Sequence, residues 1–319
     1  MTTAAPPTPV APAAGPASPR PAVGQPKVKA KEQTQGMLFI APFLITFLVF
    51  LVWPVLYGFY QSLTGQSLTG ANSELIGFAN YAEAFGDSQM WRSLGNTVVF
   101  TIASTIPLLV VGLVLALLVN LGLPGQWLWR LAFFLPFLLA STVVSLFWLW
   151  MYNPQLGVVN AIAGAFGLPQ PAWLQDSNLA MTSVVVTTVW WTVGFNFLIY
   201  LAALQNIPDQ QYEAAALDGA GKWRQLFSIT IPQLAPTTAL LAILQVLASL
   251  KVFDQIYQMT NGGPAGTTRS TVQYIFESGF TGYRFGYSSA ISYIFFAVIV
   301  VISIAQFSIT ARNRKGAQR

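Results

Sequence analysis

The stretch 211-QYEAAALDGAGKWRQLFSITIPQ-233 is polar and helix-forming, yet it lies between two apolar runs each long enough to cross a bilayer. The connection it belongs to, about 205 to 236, is 32 residues long. Reversing the chain needs far fewer residues, so the segment reads as a structured element that meets a partner.

Its local grammar predicts a hairpin of two short helices. Asp209 after Pro208 can cap a first helix through Tyr212 to Leu217, which Gly219 and Gly221 then end. A second helix is predicted from Lys222 to Ile229, stopping before Pro232. Trp223, Leu226, Phe227 and Thr230 recur at helical spacing and give it one mostly apolar face. That face suits a cleft on a cytoplasmic partner, or equally the lipid headgroups.

Outward from the hairpin, charged residues make up only 8% of 319 and hydrophobic residues 54%, which excludes an ordinary soluble domain. Six windows match the roughly 20 apolar residues a spanning helix needs. They run at about Met37 to Tyr60, Val98 to Asn120, Leu131 to Tyr152, Met181 to Leu204, Thr237 to Tyr257 and Gly286 to Thr310. The expectation is an all-α, polytopic membrane protein with six transmembrane helices in one domain, 37–310. Only the fifth window carries charges, Lys251 and Asp254, which are three residues apart and able to pair on a helix.

The fifteen basic residues set an orientation. With the N-terminus cytoplasmic, eleven fall inside: Arg20, Lys27, Lys29, Lys31, Arg130, Lys222, Arg224, Arg312, Arg314, Lys315 and Arg319. Three, Arg92, Arg269 and Arg284, fall outside, so both termini and the 211–233 hairpin are expected on the cytoplasmic side. Scattered in this way, the charges form no continuous basic face for nucleic acid. Cysteine and histidine are absent, which removes disulfides, thiol chemistry and the usual zinc sites, and no metal site is expected.

Residues 1–36 are rich in Pro, Ala, Gly and Thr and read as a disordered cytoplasmic tail; 311–319 reads as a short basic one. In the first outside loop, Gly77 to Asn96 predicts a short interfacial helix with Tyr81 and Trp91 at headgroup level. Breakers at Pro154, Gly157, Pro169 and Pro171 mark the second outside loop, and 260-TNGGP-264 marks a turn in the third. Pro42, Pro54, Pro107 and Pro136 fall inside spans, where each produces curvature or a hinge.

Glu213, Ala214 and Ala215, then Gly219, Ile229 and Pro232, reproduce the EAA signature except that Ile231 stands where leucine is usual. The chain therefore resembles the permease subunits of bacterial binding-protein-dependent ABC importers of type I. Arg130 with Pro136, Trp148, 153-NPQLGVVN-160, 173-WLQD-176 and TNGGP resemble the carbohydrate branch, which includes permeases for maltose, lactose and glycerol 3-phosphate. TNGGP after the fifth span is similar to the first of the two permeases in such systems. The resemblance implies a second homologous permease, an ATPase dimer, an extracytoplasmic solute-binding protein, a sugar substrate and a lipid surround in the bacterial cell membrane. It also implies that Glu213, Ala214, Ala215, Asp218, Gly219, Ile229 and Pro232 form the joint with the ATPase. ATP and Mg would be used by that separate subunit, with no cofactor on this chain. Consistent with that, 219-GAGK-222 fails as a phosphate loop, because Ala216 holds the first glycine position and Trp223 the hydroxyl position.

For the solute path, Thr188, Trp191, Thr192 and Phe195 form one stripe on the fourth span with Asn196 beside it, and Gln245 and Ser249 lie one turn apart on the fifth. Hydroxyls and amides together with aromatic faces suit a sugar, although such residues also pack helix on helix. With no basic residue in mid-span, the balance leans to a neutral oligosaccharide over glycerol phosphate. Another solute remains open. A membrane-embedded transferase is the remaining reading, against which stands the want of buried acids, bases or metal ligands.

Overall fold

The computed structural model describes residues 30–67, 69–70, 73–122 and 124–317, and side chains between 39 and 310. Most of the expected tail, residues 1 to 29, lies outside the described residues. Regular structure among the described residues is helical, apart from one isolated antiparallel bridge between Thr64 and Leu75.

Two compact units divide at Val55 and Leu56. In the first, α1 (Ala30–Phe47) opens seven residues before the expected start at Met37, because Ala30, Lys31, Glu32 and Gln33 are good helix formers. It passes through a π turn, Leu48–Val52, into α2 (Trp53–Ser62), most of which belongs to the second unit. The wide turn comes two residues before Pro54, which has no N–H to continue the ladder.

The second unit holds α3 (Ala79–Gly86), α4 (Ser88–Asn120), α5 (Gln126–Phe134), α6 (Ser141–Met151), α7 (Val158–Ala165) and α8 (Ala180–Gln205). After these come α9 (Asp209–Leu217), α10 (Lys222–Gln225), α11 (Ile231–Leu250), α12 (Asp254–Met259), α13 (Thr271–Phe276) and α14 (Phe285–Ala317). The expected C-terminal tail is therefore helical as far as Ala317.

Among the described residues five helices are long and apolar enough to span, and the third expected span differs. It is a bent pair, Gln126–Leu138 with Ser141–Met151, turning 99°. Pro136 supplies the reason: a short 3-10 turn, Leu135–Leu138, forms around it, and Leu139 and Ala140 are then extended. Pro107, by contrast, sits inside an unbroken α4. The fifth span ends at Leu250, earlier than expected, so Lys251 and Asp254 do not share a helix or an ion pair.

The core is α4 packed on α8, with α11 against both. Ala116, Val119, Phe197, Tyr200, Leu204, Leu234 and Leu241 are buried there. Between apolar helices in lipid, close packing replaces the hydrophobic effect as the cohesive force, and small residues make it possible. A Cβ on Gly112 would lie 2.9 Å from Asn196 Cβ, and one on Gly194 would lie 2.2 Å from the Phe133 carbonyl. Gly194 thus lets α8 press directly against the backbone of the bent third span.

The loops expected on the outside are knitted rather than loose. The expected short helix is α3, but Tyr81 turns inward to Ser62 Oγ (2.7 Å) instead of out to the headgroups. Trp91, 47% exposed, opens α4 and donates to the Phe85 carbonyl. The second of these loops contains a helix its breakers concealed, α7. Its buried Asn160 donates to the Pro154 and Pro171 carbonyls and accepts from Trp173 Nε1 at 2.7 Å.

Candidate functional site

Two places collect the residues singled out by sequence. The first is the hairpin. Pro208, with extended backbone, precedes α9, so Asp209 is its first helical residue and acts on the helix dipole instead of capping it. The helix ends in a Schellman turn. Asp218 is the last half-helical residue, Gly219 has φ +77°, Gly219 N–H reaches the Ala216 carbonyl (3.0 Å) and Ala220 N–H the Ala215 carbonyl (2.8 Å). Positive φ is what requires glycine here.

The second arm differs from expectation. Instead of stopping before Pro232, α10 runs through a π turn (Leu226–Thr230) into α11, forming one apolar helix from Lys222 to Leu250. Ile231 N–H reaches back to the Leu226 carbonyl, so the ladder has already widened where Pro232 offers no donor. The hairpin is thereby built onto the fifth span without a joint. Tyr212 OH meets Thr230 Oγ1 at 2.9 Å, and Gln225 Nε2 donates to the Ala220 carbonyl at 3.1 Å, closing one arm on the other.

Between the arms is a pocket of about 170 Å³ lined by Ala215, Asp218, Arg224, Gln225 and Ile229. Glu213, Ala214, Asp218, Gly219 and Pro232 are exposed, whereas Ala215 and Ile229 are half-buried. Of the expected apolar face, Trp223 and Phe227 stack in the open, 75% and 62% exposed, and Thr230 is buried. Leu217, at the end of the first arm, is 90% exposed.

The second place is a cavity of about 280 Å³ between α4, α8 and the end of α11. Thr188, Trp191, Thr192, Gln245 and Ser249 line it. Phe195 and Asn196 do not. Phe195 packs on Phe137 (ring centroids 5.5 Å), and Asn196, fully buried, bonds across the helices. Asn196 Nδ2 donates to the Leu108 carbonyl at 3.2 Å and its Oδ1 accepts from Gln245 Nε2 at 2.8 Å. Ser104 and Ser249 hydroxyls meet at 3.0 Å, whereas Thr188 and Thr192 each bond back to the carbonyl four residues earlier.

Sequence reasoning missed the two charged residues of this wall. Lys251 and Asp254 line the cavity, and Asp254 Oδ2 accepts from Ser141 Oγ at 2.9 Å. Their position near the end of an otherwise uncharged window was the available signal; the break after Leu250 is what turns them here.

At the N-terminus of α4, Asp87 caps the helix through Gln89 N–H (2.8 Å) and accepts from Tyr287 OH (2.6 Å) and Tyr274 OH. Burial pushes its carboxyl up, but the hydrogen bonds from Tyr274, Tyr287 and the Gln89 and Met90 amides outweigh that and hold it below the ordinary range. Both ion pairs among the described residues are in the loops expected on the outside, Arg269 with Glu277 (3.3 Å) and Arg284 with Glu83 (2.6 Å).

Residues 88–315 match the family model described as binding-protein-dependent transport system inner membrane component. The chain belongs to this family. Within it, the chain is 36% identical over 269 residues to the sulfoquinovosyl glycerol transport system permease protein SmoG of Agrobacterium fabrum, covering 84% of this chain and 87% of that one. It is 33% identical to the sn-glycerol-3-phosphate transport system permease protein UgpA of the same organism, covering 85% and 92%. The fold matches a chain of a bacterial ABC transporter involved in import of the acidic polysaccharide alginate, with TM-score 0.79, 24% identity, and 88% and 96% of the two chains covered. As a member of this family, the chain is a multi-pass inner membrane transport component.

Proposed function

We propose that the chain is one of two related permeases in an ABC importer that carries a sugar or sugar-like polyol into the cytoplasm, powered by a separate ATPase. The observation that carries this is the hairpin. A rigid two-armed element, exposing Leu217, Trp223 and Phe227, continues without a joint into a span that lines the cavity. Force applied to it reaches the solute path through one helix.

The charge distribution supports a cytoplasmic hairpin and cytoplasmic termini. Arg269 and Arg284, on the outer side, are paired with glutamates, whereas among the described residues Lys222 and Arg224 form no ion pair. The exposed apolar patch fits a cleft on the ATPase, with Glu213 beside it for a basic group. An extracytoplasmic binding protein would meet the knitted outer loops. Family membership supports transport over the transferase reading.

For the solute, a cavity of about 280 Å³ is at the small end of ligand sites, as expected of one wall of a site shared with a second permease. Lys251 in that wall alters the lean toward a neutral oligosaccharide, since an anionic group now has a countercharge. The names of both permease relatives carry a glycerol unit, one with a sulfo group and one with a phosphate. ATP-dependent uptake of sn-glycerol 3-phosphate, sulfoquinovosyl glycerol, maltose and lactose, measured with the importer's own binding protein, tests the reading. Anionic glycerol compounds are expected to be taken up and to lose rate in Lys251→Gln. Failure of any ATPase subunit to copurify with the chain would refute the importer assignment itself.

A further inference from the structure

The break in the third span is held from the solute cavity. A backbone that leaves its helix within a bilayer frees carbonyls and amides that lipid cannot satisfy, so each needs a protein partner. At this break the partners are specific. Trp191 Nε1 on α8 donates to the Leu139 carbonyl at 3.2 Å. Ser141 Oγ, on the first helical residue of α6, donates to Asp254 Oδ2 at 2.9 Å, which sets a carboxylate at the positive end of that helix. Gln258 Nε2 then donates to Thr142 Oγ1 at 3.0 Å, fixing α12 to the same turn. No helix cap from Ala140 substitutes for these bonds.

Trp191 and Asp254 have a second position in common, because both line the cavity. The indole N–H and the carboxylate are the kind of donor and acceptor a polyol recognises, and here both are turned to the break. A hydroxylated solute that takes a hydrogen bond from the indole and gives one to the carboxylate competes with Leu139 and Ser141 for them.

We propose that Trp191 and Asp254 form a latch: they fix the 99° break of the third span while the cavity is empty, and release it when a polyhydroxyl solute takes their hydrogen bonds. They are positioning residues for transport, and the inference rests on the importer reading above. The latch makes cavity occupancy a determinant of the bend, and Gly194, pressed on Phe133, passes that bend to α8.

The test uses the absence of cysteine from this chain. Leu131→Cys and Leu149→Cys place one spin label on each arm of the break, both at exposed positions, in the full importer assembled in a bilayer with cysteine-free partner subunits. Without solute, the unaltered latch is expected to give one narrow interlabel distance. Trp191→Phe and Asp254→Ala should each add a second distance, and Asp254→Asn, which keeps an acceptor oxygen, should restore the single one. Ser141→Ala should reproduce Asp254→Ala, and the two together should add nothing further. Should Trp191→Phe fail to assemble, Ser141→Ala carries the measurement alone.

An open latch imitates an occupied cavity, so solute-free ATP hydrolysis should rise about fivefold, the population shift of one net hydrogen bond. An unchanged single distance in the latch variants overturns the proposal. So does a changed distance with unchanged solute-free hydrolysis, which would make the two residues struts and no more. An assembly with no ATPase refutes the importer reading, and the distances still decide the latch.

Discussion

The hairpin and the cavity wall are built on opposite plans. In the hairpin, shape comes from the local backbone: a Schellman turn at Gly219, a π turn before Pro232 and two bonds between the arms, with Leu217, Trp223 and Phe227 left facing out. In the cavity wall four side chains are committed inward, to partners elsewhere in the fold. Gln245 serves Asn196, Ser249 serves Ser104, Trp191 serves Leu139 and Asp254 serves Ser141. A part that transmits a push gains from stiffness set within itself. A part that changes state gains from bonds that have two possible partners.

The largest effect is expected where the stiff element is broken. Gly219→Pro demands a φ near −65° where the chain has +77°, so it destroys the turn itself. ATP-dependent uptake should be abolished, with membrane insertion and the amount of protein unchanged. Gly221 provides the contrast, since its φ is −69° and a Cβ there meets nothing within 4 Å. Gly221→Ala should transport as the parent does, whereas Gly219→Ala should cost about 1 to 2 kcal/mol locally and show reduced uptake. Equal activity of the two alanine variants would remove the turn from the account.

Next in size is Gly194→Val, which probes whether α8 must touch the bent span. Its Cβ would sit 2.2 Å from one backbone atom and 2.8 Å from another, Phe133 O and Phe134 Cα, and neither belongs to a flexible side chain. Overpacking of this kind costs about 1 to 3 kcal/mol or more. The expected result is a lower unfolding midpoint in detergent and loss of the single-distance state described above. Gly95→Ala, in α4 with open space around it, is the neutral control.

Asn196 and Gln245 separate packing from solute contact. Replacing either with leucine leaves the other buried and short of a partner, at about 1 to 3 kcal/mol each. The double replacement should cost less than the sum, a coupling measurable by unfolding of the assembly. If Gln245 serves the solute as well, Gln245→Leu alone should slow uptake further than Asn196→Leu at matched stability. Additive losses with equal uptake would assign both to packing.

This contrast also explains what could be read from the sequence. The first arm and its turn were legible because their constraint is local, the αL backbone that calls for Gly219, whereas the second arm was misread at Pro232, because the π turn before it lets the helix run on. Spans were legible from their apolar length, and five of the cavity residues from one stripe and one turn. The partners were not. Nothing within α8 tells that Trp191 points at Leu139, 52 residues away, or that Asn196 belongs to Leu108 rather than to the cavity. Pro136 announced a disturbance, but a proline in mid-span gives curvature, a π turn or a 99° break according to what neighbouring helices can satisfy. Lys251 and Asp254 read as a pair because three residues on a helix bring side chains together; the helix ends at Leu250, and a new one starts only at Asp254.

The smallest expected effect lies at the N-terminal end of α4, where a carboxylate, two tyrosines and a helix start meet. Asp87 is held below its ordinary value of 3.8, so its contribution is fully present above that pH and is lost as pH falls through the lower folded-state value. Tyr274 is shifted the other way, above its ordinary 10.0, by burial first and by the bond to Asp87 next. Its contribution is present below pH 10.0 and is lost as pH rises through the folded-state value. Between these limits the bond adds a constant amount, and solvent screening in this half-buried cluster keeps it to about 1 kcal/mol. Asp87→Asn keeps a cap oxygen and removes only the charge. The midpoint difference between parent and variant should therefore be flat across neutral pH and close as the medium is acidified below 3.8. A difference that grows on acidification would reverse the sign and show that burial, not the tyrosine bonds, governs this carboxylate.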